Sequence, residues 1–319
     1  MNQKLNMLVL CCFVLLSCIS GCTGPLSPDC IMQADGYLLY NRPNQRISGL
    51  YCFDYETNEN KKINSDLPED FCLLGEYIAY TTNEDTVKLL DRETQTMKSS
   101  YTIKGDLIFE NEIEYSGEFA ADSKQLKIAG YVNETLILYR VTKDHNTEFF
   151  QFNPEENEVL PILSLNGTVA SDACVYDDGY FILTDQQIIL VNSDKQIVTV
   201  YSSDEDLPSE MTLTGNEELL FTTKSSKTMY SYDVEEKTTV ELFERNHIGK
   251  YYSKGNIIYY IDESHDIIAI DYEGEVLETI NGISNLGTLS ITDRGIFAYV
   301  IGDYLFYYDF SDKVWTPEP

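Results

Sequence analysis

Short apolar runs separated by polar turns recur along this chain from about residue 31 to its end. An apolar run, often following Gly, is succeeded by a brief polar turn. A second apolar run then ends in Asp or a substitute, and another polar turn leads to a third. The first runs are Tyr37-Leu38-Leu39-Tyr40, Tyr77-Ile78-Ala79-Tyr80, Leu126-Lys127-Ile128-Ala129, Tyr180-Phe181-Ile182-Leu183, Leu219-Leu220-Phe221-Thr222, Ile257-Ile258-Tyr259-Tyr260 and Ile296-Phe297-Ala298-Tyr299. The second runs end at Asp54, Asp91, Arg140, Asn192, Asp233, Asp271 and Asp309, at intervals of 37, 49, 52, 41, 38 and 38 residues. Segments rich in Tyr, Ile, Val and Phe suit a pleated, packed sheet. No long stretch follows the 3.6-residue period of a helix. The expectation is an all-β chain of seven units.

The recurring acidic position has a local explanation. Asp or Asn after a strand accepts hydrogen bonds from its own backbone two residues on and starts a tight turn. Asp54-Tyr55-Glu56-Thr57, Asp91-Arg92-Glu93-Thr94, Asp233-Val234-Glu235-Glu236 and Asp271-Tyr272-Glu273-Gly274 all fit. One such side chain per unit reads as a turn former, not as a catalytic acid. Arg140 is the exception. Most units also have room for a further strand ahead of the first run: Ile31-Met32-Gln33, Phe71 to Leu74, Cys174-Val175-Tyr176, Gly249 to Tyr252 and Thr288 to Ile291.

Four strands in about 43 residues is the pattern of a propeller blade. The chain resembles a seven-bladed β-propeller of four-stranded antiparallel blades, in the broad quinoprotein-like group. The local similarity is the turn from Asp54 to Thr57, and the resemblance spans residues 30–319. It departs from that group in lacking the Trp that closes each blade, because Trp315 is the only Trp. The group's quinone site is therefore not carried over, and no cofactor is expected. Both ends carry complete blades, so the first and last should pack directly, or a disulfide from Cys30 should help close the ring.

Ahead of the repeats the pattern changes. Lys4 precedes the apolar run Leu8 to Leu16, which is shorter than the roughly 20 residues a spanning helix needs. Ile19-Ser20-Gly21-Cys22 follows it. These residues resemble a bacterial lipoprotein signal peptide with its lipobox. The resemblance implies removal of residues 1–21, lipidation of Cys22, a short tether over 22–29, and an extracytoplasmic protein held to the cell membrane through that lipid. More than one acyl chain gives stable anchoring.

Charge narrows the partners. The whole chain carries −31 with 53 acidic and 22 basic residues, and loss of residues 1–21 removes only Lys4. Nucleic acid is disfavoured, since its binding relies on Lys and Arg neutralising phosphates. Anionic lipid also repels such a chain, which leaves attachment to the lipid on Cys22. Four cysteines remain for the domain: Cys30, Cys52, Cys72 and Cys174. They allow three pairings, or burial as small hydrophobes, and no two have the spacing of a metal site.

Candidate chemistry is sparse. The connections 104–125 and 153–170 look long, and the first holds Glu110, Glu112, Glu114 and Tyr115, which read as an ordinary edge strand. Arg42 and Arg46 share one loop. His145, His247 and His265 lie in polar turns, and no G-x-S-x-G elbow is present. Ser203-Asp204-Glu205-Asp206 and Asp262 to Asp266 are acidic turns without a calcium-loop spacing, so no metal site is assigned. Most of the 24 Tyr fall in strands. The expectation is a monomeric, non-catalytic binding or scaffolding propeller for an envelope protein or glycan. The alternative is an enzyme acting on cell-surface polysaccharide through carboxylates gathered at the propeller channel.

Overall fold

A computed structural model describes residues 31–317 except 35, 43–47, 58, 83–84, 104–111, 115–125, 178, 215–217, 284–285, 293–294 and 301–303. The described residues form seven sheets, each built on four antiparallel strands, and no helix. Blade one contains Ile31–Ala34, Tyr37–Arg42, Gly49–Asp54 and Glu59–Asn64, hydrogen-bonded in sequence order from inner to outer strand. The other blades span 70–102, 126–166, 170–202, 208–244, 251–280 and 286–317. The seven-bladed propeller expected from the repeats is thus the architecture.

Position within a blade explains the composition of each strand. The second and third strands are sandwiched between neighbouring blades, so they read as continuous apolar runs. Gly179–Thr184 is buried at every residue. Outer strands meet solvent and are polar, as in Glu59–Asn64 and Met97–Thr102. Lys61 and Lys62 on one of these edges also discourage edge-to-edge pairing. Apolar clusters fill each inter-blade layer. One joins Leu74 and Leu89 of blade two to Leu136 and Phe150 of blade three. Another joins Leu38, Tyr40 and Phe53 of blade one to Phe297 and Leu305 of blade seven. Among the described residues, no strand from one terminus completes a blade at the other. The ring closes by side-chain packing between complete blades, and Cys30 lies outside the described residues. Cys52, Cys72 and Cys174 are free thiols.

Blade three corrects the repeat register. Leu126–Val132 is its inner strand and Thr135–Val141 its second, so the third strand is Thr147–Asn153. Arg140 therefore ends no repeat. It lies in the second strand and pairs with Glu148 on the third, Nε to Oε2, at 2.8 Å. The true seventh turn former is Asn153, whose Oδ1 accepts from the N–H of Glu155 at 3.0 Å and of Glu156 at 3.4 Å. Asp54 Oδ1 likewise accepts from Thr57 N at 2.8 Å, Asp91 from Thr94 N at 2.8 Å and Asp233 from Glu236 N at 2.9 Å, while Asn192 accepts from one residue further on, Gln196 N, at 2.8 Å. Asp271 and Asp309 complete the set, accepting from Glu275 N and Ser311 N at 2.7 Å each.

The segment 153–170 is likewise no long connection, because the outer strand Glu158–Asn166 occupies it. Glu112–Glu114 adds a fifth strand, parallel to that outer strand, as the edge-strand reading required. Glu110 and Tyr115 lie outside the described residues.

Candidate functional site

The two ends of the propeller differ. One, the turn face, carries the connections from inner to second strand and the Asx turns after the third. The other, the loop face, carries the connections between blades and those between second and third strands. The central channel opens on the loop face into a cavity of about 520 Å³, lined from blades two to six.

Strand pairing explains which residues reach that mouth. Within each blade, the residue ending the third strand stands opposite the start of the second, as Tyr37 pairs with Asp54, Tyr77 with Asp91 and Gly295 with Asp309. Measured from this anchor, Asp70, Lys127, Asp172, Glu210 and Thr288 occupy one common register position, paired with Thr81, Tyr139, Leu183, Thr222 and Tyr299. Lys250 takes the same place in blade six, its carbonyl accepting from Ile261 N at 3.0 Å. The blade-one equivalent is Cys30, outside the described residues. Five successive blades therefore place Asp, Lys, Asp, Glu and Lys at the mouth, and all five line the cavity.

Part of this ring is engaged with the backbone. An inner strand has no neighbour on its channel edge, so its N–H groups there need acceptors. Asp70 supplies two, Oδ1 to Phe71 N at 2.9 Å and Oδ2 to Ile128 N of blade three at 3.0 Å. Asp172 Oδ1 accepts from Ala173 N at 2.8 Å, and Tyr252 of blade six accepts from Leu289 N of blade seven at 3.2 Å. Lys127 reaches across the next junction, donating from Nζ to the Ser171 carbonyl of blade four at 2.9 Å. The ring thus ties blade two to three and three to four.

Burial lifts the Asp70 carboxyl to about 7; the bonds from Ile128 and Phe71 pull it down, Asp172 pushes it further up, and Lys127 opposes that. Tyr139 and Tyr251 behind the mouth are raised, first by burial and then by these carboxylates. Cys174, also in the wall, is raised by burial and by Asp172. A thiol held so far from its thiolate is a poor nucleophile. The mouth therefore presents charged and hydrogen-bonding groups to the channel.

The sequence-derived candidates are dispersed. His247 and His265 line a separate loop-face cavity of about 560 Å³ with Asp262 and Glu263, while His145 is exposed in blade three. Asp262 forms an Asx turn with Ser264 N and Asp266 N at 2.8 and 2.9 Å. Asp204 and Glu205 are exposed, while Asp206 Oδ2 accepts from the Thr223 and Ser225 hydroxyls at 2.5 and 2.7 Å, pinning the connection between blades four and five to a loop of blade five. Among the described residues no three His, Cys, Asp or Glu are placed to hold a metal. Cys22 and Arg46 lie outside the described residues, as does the side chain of Arg42. Sequence reading missed the mouth ring. Its signal was a charged residue at or near the start of five inner strands, in Asp70-Phe71, Lys127-Ile128, Asp172-Ala173, Glu210-Met211 and Lys250-Tyr251.

No protein-family model matches the chain, and no curated protein does. Solved propellers do. Virginiamycin B lyase from Staphylococcus aureus matches with a TM-score of 0.63 at 10% identity, over 88% of this chain and 94% of that one. The β-propeller domain of Cps50 (Swd1) from Myceliophteria thermophila matches with a TM-score of 0.59 at 11% identity, over 91% and 96%. The RRP9 WD40 repeats match with a TM-score of 0.59 at 10% identity, over 87% and 88%. At such identities the likeness is one of fold, and what it establishes for this chain is the β-propeller.

Proposed function

We propose that this protein is a membrane-tethered extracytoplasmic lipoprotein whose propeller acts as a non-catalytic binding or scaffolding module for an envelope protein or glycan. The lipobox ending at Cys22 supports the anchor. One observation carries the binding role: the charged mouth is a rim in which Asp70 and Lys127 bridge neighbouring blades. Rigid rims on stable scaffolds are where recognition sits. The anchor itself is what frees the domain to be acidic, because attachment then needs no electrostatic attraction to the lipid surface.

The test is crosslinking and recovery of the full chain from its native membrane, beside a Cys22→Ala variant. Mass spectrometry of the mature N-terminus should show a diacylglyceryl group on Cys22, and the variant should leave the membrane fraction. A stoichiometric protein or a retained glycan should come down with the wild type. Turnover of cell-surface polysaccharide that is abolished by Asp172→Asn would overturn the non-catalytic reading.

A further inference from the structure

We infer that the propeller is held with its loop face, the one that carries the channel mouth, toward the membrane, so that its acidic turn face points away. This rests on lipidation of Cys22. Blade one enters from the loop face: Ile31 pairs with Tyr40 at that end of the inner strand, while Ala34 pairs with Tyr37 at the turn face. The link from Cys22 to Ile31 reaches about 30 Å when fully extended. To lay the turn face on the bilayer, that link would have to cross three inter-strand spacings, about 14 Å, and then descend a six-residue strand, about 20 Å. Outer-strand side chains lengthen the path further, and the acyl chains would still have to insert. The link is too short for that arrangement and sufficient for the opposite one.

Charge acts in the same direction. Each of the seven Asx turns carries a further acid: Glu56, Glu93, Glu155, Asp194, Glu235, Glu273 and Asp312. An anionic leaflet repels such a face over about a Debye length. The loop face also carries acids, among them Asp70, Asp172, Glu210, Asp262 and Glu263, but offsets them with Lys127, Lys143, Lys224, Lys227, Arg245 and Lys250, whereas the turn face has Arg92, Lys195, Lys237 and Lys313 against a larger number of acids. Of the two faces it is the one an anionic surface repels less. A ligand of the channel mouth therefore approaches through the gap between propeller and bilayer, a gap no wider than the tether allows.

Energy transfer to the membrane surface reads this orientation. Donor dyes are placed at Lys224→Cys on the loop face or Glu236→Cys on the turn face, both exposed and in one blade. The full-length lipidated protein is bound to phosphatidylethanolamine–phosphatidylglycerol vesicles containing an acceptor-labelled lipid. Transfer from 224 should exceed that from 236 by roughly twofold, given the ~20 Å of strand between them. A long Gly-Ser insertion after Ser27 should abolish the difference; persistence of the difference would refute control by tether length. Equal or reversed transfer from vesicle-bound protein overturns the orientation and leaves the anchor standing. Failure to float with vesicles, with no lipid mass on Cys22, overturns the anchor and the orientation together.

Discussion

Tyr55 of the first blade stacks on Phe297 of the last, ring centroids 5.1 Å apart and planes 13° apart. Phe53 and Tyr307 flank the pair, each packed on Phe297 at 5.9 and 4.6 Å. With no strand shared between the first and last blades among the described residues, this aromatic cluster helps tie the ring. Phe297→Ala should cost about 3–5 kcal/mol, the range for emptying a core aromatic site. The Tyr55 hydroxyl is buried without a hydrogen-bond partner. Tyr55→Phe removes that unmet group and should be neutral or stabilising by about 1 kcal/mol. Urea denaturation of both variants measures these opposite signs.

Two carboxylates should shape the pH profile in opposite directions. Asp70 holds its proton more tightly in the folded chain, at about 7 against an ordinary 3.8. The folded state therefore binds more protons across that window, so stability from this residue is greatest below pH 4 and is lost as pH rises to about 7. Asp91 is held down to about 2, first by the Thr94 N–H and hydroxyl and then by Lys98. Its contribution is present above pH 4 and is lost as pH falls toward 2. In Asp70→Asn the decline between pH 4 and 7 should disappear while the acid limb remains. Thermal melts across pH 2–8 decide it, and a wild-type slope retained in the variant would remove Asp70 as its source.

The core of each blade was legible because burial on both faces writes a continuous apolar run, as in Tyr180 to Leu183. Register failed in blade three for a physical reason. The Leu136–Tyr139 run ends in a charge, and only the structure shows that Glu148 neutralises it. Asn153, followed by Pro154, looked like the start of a loop although its side chain makes the same bond as Asp54. The mouth ring was harder to see, since Asp70, Lys127 and Asp172 become equivalent only through their pairing with second strands.

Asn153→Ala should therefore behave like loss of a turn former, costing about 1 kcal/mol, whereas Asn153→Asp keeps the acceptor and should be near neutral. Denaturant midpoints separate the two. Equal loss in both variants would mean that the amide group, not the acceptor oxygen, holds this turn.

Cys52, Cys72 and Cys174 should be inert in the native state. Cys52 is raised to about 11 and Cys72 to about 12, by burial first and then by Asp54 and Asp70 respectively, and Cys174 is raised for the same kinds of reason. Because the thiolate is the reactive form, iodoacetamide at pH 8 should modify these three slowly in native protein and rapidly in urea. Rapid native labelling of Cys174 would show that the channel wall opens on that timescale.

Gly282 lies in the connection from blade six to blade seven, close against the 262–266 loop of blade six. Its N–H donates to Asp266 Oδ1 at 2.8 Å, and a Cβ placed there would overlap the His265 carbonyl. The obstacle is backbone, so no side-chain rotation relieves it. Gly282→Ala must part the connection from the loop, breaking the Asp266 bond as well, at about 1–3 kcal/mol for the overpacking. Trp315 gives this connection a reporter, since its indole N–H donates to the Asn281 carbonyl at 2.7 Å. The variant should shift Trp315 fluorescence under native conditions and unfold at lower urea. A destabilised variant with unchanged Trp315 emission would place the damage in the 262–266 loop and leave the blade-seven side of the connection intact.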